Sequence, residues 1–422
     1  MFRAERLQTV GIMSIVVQKF GGTSLADPAR IKSAADRVES TRNEGHDVVV
    51  VVSAMGETTD QLVSLAAELT DDPSPREMDM LLSAGERISM ALLAITLNSR
   101  GIPAVSYTGS QAGILTDSSH GSAKILDIRG TRVRDSLAEG RVVIVAGFQG
   151  VDPESKEVTT LGRGGSDATA VALAAALGAD SVEIYTDVDG VFTADPRIVP
   201  EARMLDEVPF DEMLELSAGG AGVLMSRAVE FGRRFDIPIH VRSSFQDAEG
   251  TWVRESAMEQ AIVSGVAHDR SEAKVTVNRV PDRPGVAAAL FGSLAHAGVN
   301  VDMIVQNVSH DGSTDISFTV PRTHVVEAER ISKQVAGEID AESVDVDAEI
   351  AKVSLVGAGM KTHPGVAAKV FETLAEAGIN IEMISTSTIR ISCVVRADQV
   401  ERAVQALHAA FEPPTIYEEV GA

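Results

Sequence analysis

The sequence predicts an α/β protein: a mostly parallel sheet sandwiched by helices, followed by two small βαββαβ units. Three observations predict it. The first half alternates near-continuous apolar runs with helical patterns, as strands buried on both faces require. Glycine-rich turns follow three of those runs, after residues 19, 53 and 146. From near residue 263, two segments repeat with a constant offset of 80 residues, the mark of a duplicated structural unit.

The elements follow in order. Ile15-Val16-Val17 opens a buried strand over 15–19, where β-branched residues suit a pleated surface. Gln18-Lys19-Phe20-Gly21-Gly22-Thr23-Ser24 then turns into a helix over 28–42, with Asp27 as N-cap and Pro28 as first helical residue. Further strands are expected at 47–53, 103–107, 141–146 and 181–186, and helices at 59–70, 76–99, 121–138 and 166–178. In such sheets ligands sit beyond the carboxyl ends of strands, so the three glycine turns are expected to converge on one crevice.

In the second half, Pro284-Gly285-Val286-Ala287-Ala288 returns as Pro364-Gly365-Val366-Ala367-Ala368, and Ala297-Gly298-Val299-Asn300 as Ala377-Gly378-Ile379-Asn380. Each copy reads strand, Pro-Gly turn, helix, Gly-Asn turn, strand, turn, strand and helix. The first strands are placed at 274–280 and 352–356, and the last at 314–320 and 388–395. A Pro-Gly turn opening a helix exposes N–H groups to a carboxylate. Asp282 and Asn300 stand near enough in sequence to hold an ammonium, which together is the chemistry of a free amino acid.

Composition excludes several classes. The chain has 422 residues and is 44% hydrophobic and 23% charged, as a globular protein of several domains is. Its formal charge of −24 argues against nucleic acid and anionic membrane surfaces as partners. Cys393 is the only cysteine, so no intrachain disulfide forms, and a cytoplasmic location is expected. No membrane span is expected. Residues 1–13 are read as an N-terminal extension, with Met1 or Met13 as the translation start.

Five stretches are candidates for chemistry. Lys19 beside Gly21 and Gly22 suits a phosphoryl group, since bare amides and a helix start favour anions. Thr159-Thr160-Leu161-Gly162-Arg163-Gly164-Gly165-Ser166-Asp167 is the most glycine-dense stretch. Its arginine offers planar donors for a carboxylate or phosphate, while Ser166 and Asp167 could cap the next helix. Ser53-Ala54-Met55-Gly56-Glu57-Thr58-Thr59-Asp60 offers hydroxyls, or Thr59 as a cap; Glu86 sits beside Gly85 in a helical pattern. The Asp- and Gly-rich Tyr185–Phe192 turn lacks the loop length of a calcium site. The nine histidines lack metal-ligand spacing, so neither a metal site nor a catalytic His is expected.

Taken together, K-F-G-G-T-S at 19–24, S-A-M-G-E-T-T-D at 53–60, S-A-G-E-R at 83–87, T-L-G-R-G-G-S-D at 160–167 and Y-T-D-V-D-G-V-F-T-A-D-P-R at 185–197 resemble the aspartate kinases of the amino-acid-kinase family. The paired repeats resemble ACT domains, and the likeness is nearest to the lysine- and threonine-controlled enzymes of actinobacteria. It implies an amino-acid-kinase domain over 14–262 and ferredoxin-like ACT domains over 263–340 and 341–422. It implies ATP with Mg2+ as phosphoryl donor and L-aspartate as acceptor, the first step toward lysine, threonine, methionine and diaminopimelate. Lys19 and Asp167 take the catalytic positions of that pattern, with Phe20, Gly21, Gly22, Ser53, Thr186, Asp187, Phe192, Arg197, Gly222 and Val223 at the nucleotide. Thr59, Glu86, Arg163, Gly164, Gly165 and Ser166 match substrate positions, Arg163 for the α-carboxylate and Glu86 for the α-ammonium. Effector positions are Asp282, Val286, Ala287, Asn300, Val301 and Gln306 in the first copy, and Val366, Ala367, Asn380, Ile381 and Thr386 in the second.

The chain departs from the pattern at Gly222, where the family usually has lysine; Arg227 is the candidate replacement cation. Met258 stands where related enzymes start a short regulatory chain, so a homo-oligomer or a mixed tetramer is expected. Two competing assignments stay open: a kinase of glutamate, acetylglutamate or a nucleotide, and a non-catalytic amino-acid sensor.

Overall fold

The structure, a computed structural model, describes residues 14–255, 262–308, 312–360, 363 and 365–413. Residues 1–13 and Met258 lie outside the described residues. The chain forms two compact units, the first built from 14–191, 204–217 and 222–255, the second from 192–203, 218–221 and the described residues from 262 onward.

The first unit runs β1 (Ile15–Phe20), α1 (Pro28–Asn43), β2 (Asp47–Val52), α2 (Thr58–Ala67), α3 (Pro75–Ser99), β3 (Ala104–Tyr107), α4 (Gly109–Ala112), β4 (Ile114–Thr116) and β5 (Ile125–Ile128). It continues α5 (Thr131–Ala138), β6 (Val142–Ala146), β7 (Gln149–Val151), β8 (Val158–Thr160), α6 (Gly165–Leu177) and β9 (Ser181–Thr186). It ends β10 (Glu207–Val208), α7 (Phe210–Ala218), α8 (Ser226–Phe235), β11 (Ile239–Ser243) and β12 (Thr251–Val253). Eight strands form one sheet in the order β10-β12-β11-β9-β1-β2-β6-β3. Every pairing in it is parallel except β11 with β12.

Local chemistry explains the elements. Asp27 caps α1 by accepting from the N–H groups of Ala29 and Arg30, and Pro28 opens the helix. The β2 valines are buried on both faces, as a central parallel strand requires. Phe20, Ile31, Val38, Val50, Leu93, Leu97 and Ile144 share one core between the sheet and α1 and α3. α3 has the length and composition of a membrane span, yet its Asp79, Ser83 and Glu86 are buried within this unit.

Two expectations need correction here. The helix expected over 121–138 is only Thr131–Ala138; Ile125–Ile128 is instead a strand. It belongs to a second, small sheet, β5-β4-β7-β8, whose strands are three or four residues long. The second is the Thr59 cap: α2 starts at Thr58, Glu57 holds the cap position, and the Thr58 hydroxyl donates to the Met55 carbonyl at 2.6 Å.

The second unit runs β13 (Gly265–Asp269), β14 (Glu272–Pro281), α9 (Val286–His296), β15 (Ile304–Val308), β16 (Ser313–Pro321), α10 (Val325–Ile339) and β17 (Ser343–Asp347). Then come β18 (Ile350–Val356), α11 (Val366–Glu376), β19 (Met383–Thr386), β20 (Arg390–Arg396) and α12 (Val400–Phe411). Two four-stranded antiparallel sheets result, β15-β16-β14-β17 and β13-β18-β20-β19. The first repeat is the expected βαββαβ. The second takes its fourth strand from β13, which precedes the first repeat in sequence and pairs antiparallel with β18. Sheet membership thus crosses the expected division at 340, with β17 completing the first sheet.

Candidate active site

The glycine turns at the carboxyl ends of β1, β2 and β6 meet. Gly56 N–H donates to the Gly22 carbonyl at 2.9 Å. A Cβ on Gly22 would lie 2.9 Å from the Gly56 carbonyl oxygen and 3.0 Å from that of Ala54, so only glycine lets the two loops approach this closely. Gly147, after β6, would place a Cβ 2.9 Å from Ser166 at the start of α6. Three loops widely separated in sequence therefore share one end of the sheet, as the strand ends of an open α/β sheet permit.

Lys19 and Asp167 are the charged centre of this region. The Lys19 Nζ lies 2.5 Å from Asp167 Oδ1, and both side chains are 11% exposed. Asp167 sits in the first turn of α6, whose cap position is Gly164 in the left-handed region. Gly164 holds the cap position and Ser166 and Asp167 lie inside α6, and no capping bond from either is seen among the described residues. The Gly21 N–H donates to the Tyr185 carbonyl at 3.2 Å, which removes it as the expected anion donor. No bond from the Gly22 N–H is seen among the described residues, so that amide remains for the role.

Glu86 is a strongly perturbed acid of this region. It is 3% exposed on α3, and its Oε1 accepts from the Ala54 N–H at 3.1 Å. Its Oε2 is buried without a hydrogen-bond partner. Burial pushes its carboxyl up to about 7, against two backbone N–H bonds that favour the anion. A buried, half-satisfied carboxylate is a receptor for a cationic group.

Arg163 is 95% exposed, with a guanidinium nitrogen 3.9 Å from Asp60. It therefore adjoins the Ser53–Asp60 loop and is not locked by packing. Ser53 on that loop and Thr59 in the first turn of α2 are half-buried, and Gly165 and Ser166 are buried at the α6 start. Thr186 ends β9 and Asp187 follows it, the Thr186 hydroxyl donating to the Asp187 carboxylate at 3.2 Å. Gly222 has φ +64, a left-handed backbone that a lysine would adopt only with strain, and Val223 beside it is half-buried. Arg227 does not act as a loose replacement cation. Its guanidinium donates to the carbonyls of Leu161 at 3.3 Å and Ala123 at 3.1 Å. Phe192 and Arg197 fall in the second unit, where Arg197 pairs with Asp195 at 2.7 Å. Sequence reasoning missed the cluster in which Asp79, buried on α3, meets Thr160 at the end of β8 and the half-buried His120; a lone Asp in a helical pattern carries no signal that separates it from a solvated one.

In the second unit, Asp282, Asn300 and Gln306 are exposed, as are Ala367, Asn380 and Thr386; Ala287, Val301 and Ile381 are half-buried. Val286 and Val366 are buried. Their side chains belong to the two repeat cores, so only their backbone can face a ligand. Gln306 lies on β15 and Thr386 on β19, both edge strands whose second side is unpaired among the described residues.

A model of the amino acid kinase family matches residues 14–243, and a model of the ACT domain matches residues 275–334 and 353–411. An aspartokinase of Mycolicibacterium smegmatis is 58% identical over 405 residues, 94% of this chain and 96% of that protein. An aspartokinase of Corynebacterium glutamicum is 54% identical over 406 residues, 95% of this chain and 96% of that protein. Among solved structures, E. coli aspartokinase III in complex with aspartate and ADP superposes with a TM-score of 0.81 at 30% identity, covering 94% of this chain and 100% of that one. The same enzyme in complex with lysine and aspartate gives 0.71 at 29% identity, covering 94% and 99%.

Proposed function

The chain belongs to the amino acid kinase family, among the aspartokinases, and from that premise we propose that it transfers the γ-phosphoryl group of ATP to the β-carboxylate of L-aspartate, giving 4-phospho-L-aspartate. The observation that carries this reading is the Lys19–Asp167 pair, together with a buried carboxylate, Glu86, that has an unpartnered oxygen and holds the loop meeting Gly22.

Phosphoryl transfer needs charge neutralisation and alignment more than covalent help. Lys19 and the Gly22 N–H would face the charge on the moving phosphoryl. Asp167 orients Lys19. Glu86 would take the α-ammonium of aspartate, and the mobile fork of Arg163 its α-carboxylate, with Ser53, Thr59 and Ser166 as further polar contacts. Thr186 and Asp187 would face the nucleotide. The acceptor carboxylate attacks as an anion, so no strong general base is required. No group of three or more His, Cys, Asp or Glu suited to a metal is found among the described residues. Mg2+ would be carried by the phosphates of ATP, with Asp167 as a single protein carboxylate beside it.

The finer parts of the proposal are regulation and setting. We propose that lysine and threonine inhibit together through the two ACT domains, and that the product feeds lysine, threonine, methionine and diaminopimelate synthesis in the cytoplasm. An assembly of full-length chains, alone or with a short chain started at Met258, belongs to the same proposal; native mass spectrometry distinguishes the two.

The test is a hydroxamate assay with ATP and L-aspartate, run beside glutamate and acetylglutamate. Aspartate should give the signal and Lys19→Ala should lose it. A signal with another acceptor would assign a different kinase, and none with any acceptor would favour a non-catalytic sensor.

A further inference from the structure

α3 presents one buried polar line: Asp79, Ser83 and Glu86, at spacings that share a helix face. Each holds a different loop. Glu86 accepts from the Ala54 N–H, and the Ser83 carbonyl accepts from Gln149 Nε2 at 3.0 Å. The Asp79 carboxylate accepts from the Thr160 hydroxyl at 2.5 Å and from the Gly121 N–H at 3.1 Å. It also lies 2.7 Å from His120 Nδ1. The Thr160 carbonyl in turn accepts from the Ala123 N–H at 2.9 Å. The 120–123 turn and the base of the 160–167 loop are thus tied to α3 at one carboxylate. From another side, Arg227 holds Leu161 and Ala123.

A carboxylate that is wholly buried is costly unless its oxygens are bonded. Asp79 is 0% exposed and has donors on both oxygens. A satisfied buried network of this kind fixes geometry more than it adds stability. What it fixes is specific. Arg163 follows Thr160 by three residues, and Glu86 lies two helical turns along α3 from Asp79.

We infer that Asp79 is a positioning residue for the acceptor substrate: through Thr160 it sets the spacing between the Arg163 loop and Glu86, the two groups that would hold the ends of the amino acid. The inference rests on the aspartate-kinase reading given above. Asp79 touches no reactant, and the Thr160 hydroxyl is the link through which it acts.

Full-length Asp79→Asn, Thr160→Val, Thr160→Ser and the Asp79→Asn/Thr160→Val double variant test it by steady-state kinetics, varying aspartate and ATP in turn, with thermal unfolding in parallel. Both Asp79→Asn and Thr160→Val should raise the KM for aspartate about tenfold or more, with the KM for ATP within about twofold of the parent. Thr160→Ser, which keeps the hydroxyl, should behave as the parent. The double variant should be no worse than the poorer single one, because both remove one link. Thr160→Val carries the test if Asp79→Asn does not fold. An unchanged aspartate KM in folded Thr160→Val, or equal rises in both KM values, overturns the inference. A parent chain that does not phosphorylate aspartate would instead remove the reading beneath it.

Discussion

Lys352 of the second repeat reaches Asp302 of the first at 2.5 Å, and Lys274 of the first returns the contact by pairing with Glu382 of the second. The four residues are equivalent in pairs: both lysines lie on the opening strand of their repeat, and both acids follow its Gly-Asn turn by two residues. Duplication has therefore produced a reciprocal tie between the two sheets. Lys352 also pairs with Glu272 at 2.6 Å and is 1% exposed.

Burial alone would lower the Lys352 pKa, but Glu272 and Asp302 outweigh it and raise it. Burial alone would raise Asp302, but the Lys352 ammonium outweighs it and lowers it. The signs then set a window. Asp302 stabilises the fold above its unfolded value near ~3.9 and loses that contribution as pH falls through its lowered folded value. Lys352 contributes below ~10.4 and loses it as pH rises through its raised value. Lys352→Met leaves the buried Glu272 without its cation, beside the exposed Asp302, and should cost about 2–3 kcal/mol at neutral pH, since breaking a buried pair strands the partner. Urea unfolding at pH 7 and pH 3 checks this: the gap between parent and variant should shrink at the lower pH.

Glu86 makes an opposite prediction. Its folded pKa, about 7, lies above its unfolded value. The folded state therefore binds the extra proton, and this group lowers stability as pH rises from the unfolded value through 7. Glu86→Gln should be more stable than the parent at pH 8, by on the order of 2 kcal/mol, and equal to it at pH 4. The same substitution should raise the KM for aspartate and flatten its pH dependence, because an ammonium needs the carboxylate. In the parent that KM should fall between pH 6 and 8. Thermal unfolding and initial rates on the two proteins check both halves.

These two networks were legible in the sequence to different degrees. The glycine turns, Lys19 and the 80-residue repeat are legible because local motifs and their recurrence encode them, whereas Glu86, a lone acid in a helical pattern, stands out only through the resemblance. The β5-β4-β7-β8 sheet did not, since Ile125–Ile128 is too short to show a period and its flanks read as helical. The exchange of β13 into the second small sheet is a long-range pairing, which local pattern does not carry. Asp79 and Lys352 carry no signal in the sequence, because what makes them unusual is burial.

Gln306 tests the regulatory proposal. It is exposed on the edge strand β15, where truncation removes no core contact. Gln306→Ala should relieve inhibition by lysine and threonine while uninhibited turnover stays within about twofold, as expected of a change outside the reacting groups. Inhibition curves with each amino acid and with both together measure it. Sensitivity equal to the parent would remove Gln306 from the effector site.

Gly22→Ala tests the meeting of the loops. Its added methyl would meet two backbone oxygens, those of Gly56 and Ala54, at 2.9 and 3.0 Å. Neither is the free end of a flexible side chain, so the loops must part. The bond from the Gly56 N–H to the Gly22 carbonyl would lengthen with them. The amide proposed to face the phosphoryl group is carried on the same residue, so its direction changes as the loop shifts. A displaced donor of this kind costs about a hundredfold or more in kcat. Stability should fall by only about 1–2 kcal/mol, in the range of a local overpacking. Turnover and thermal unfolding measured on one preparation separate the two effects: a large loss of kcat in a chain that still unfolds cooperatively is the expected result, and full activity would mean that Gly22 does not face the reacting phosphoryl.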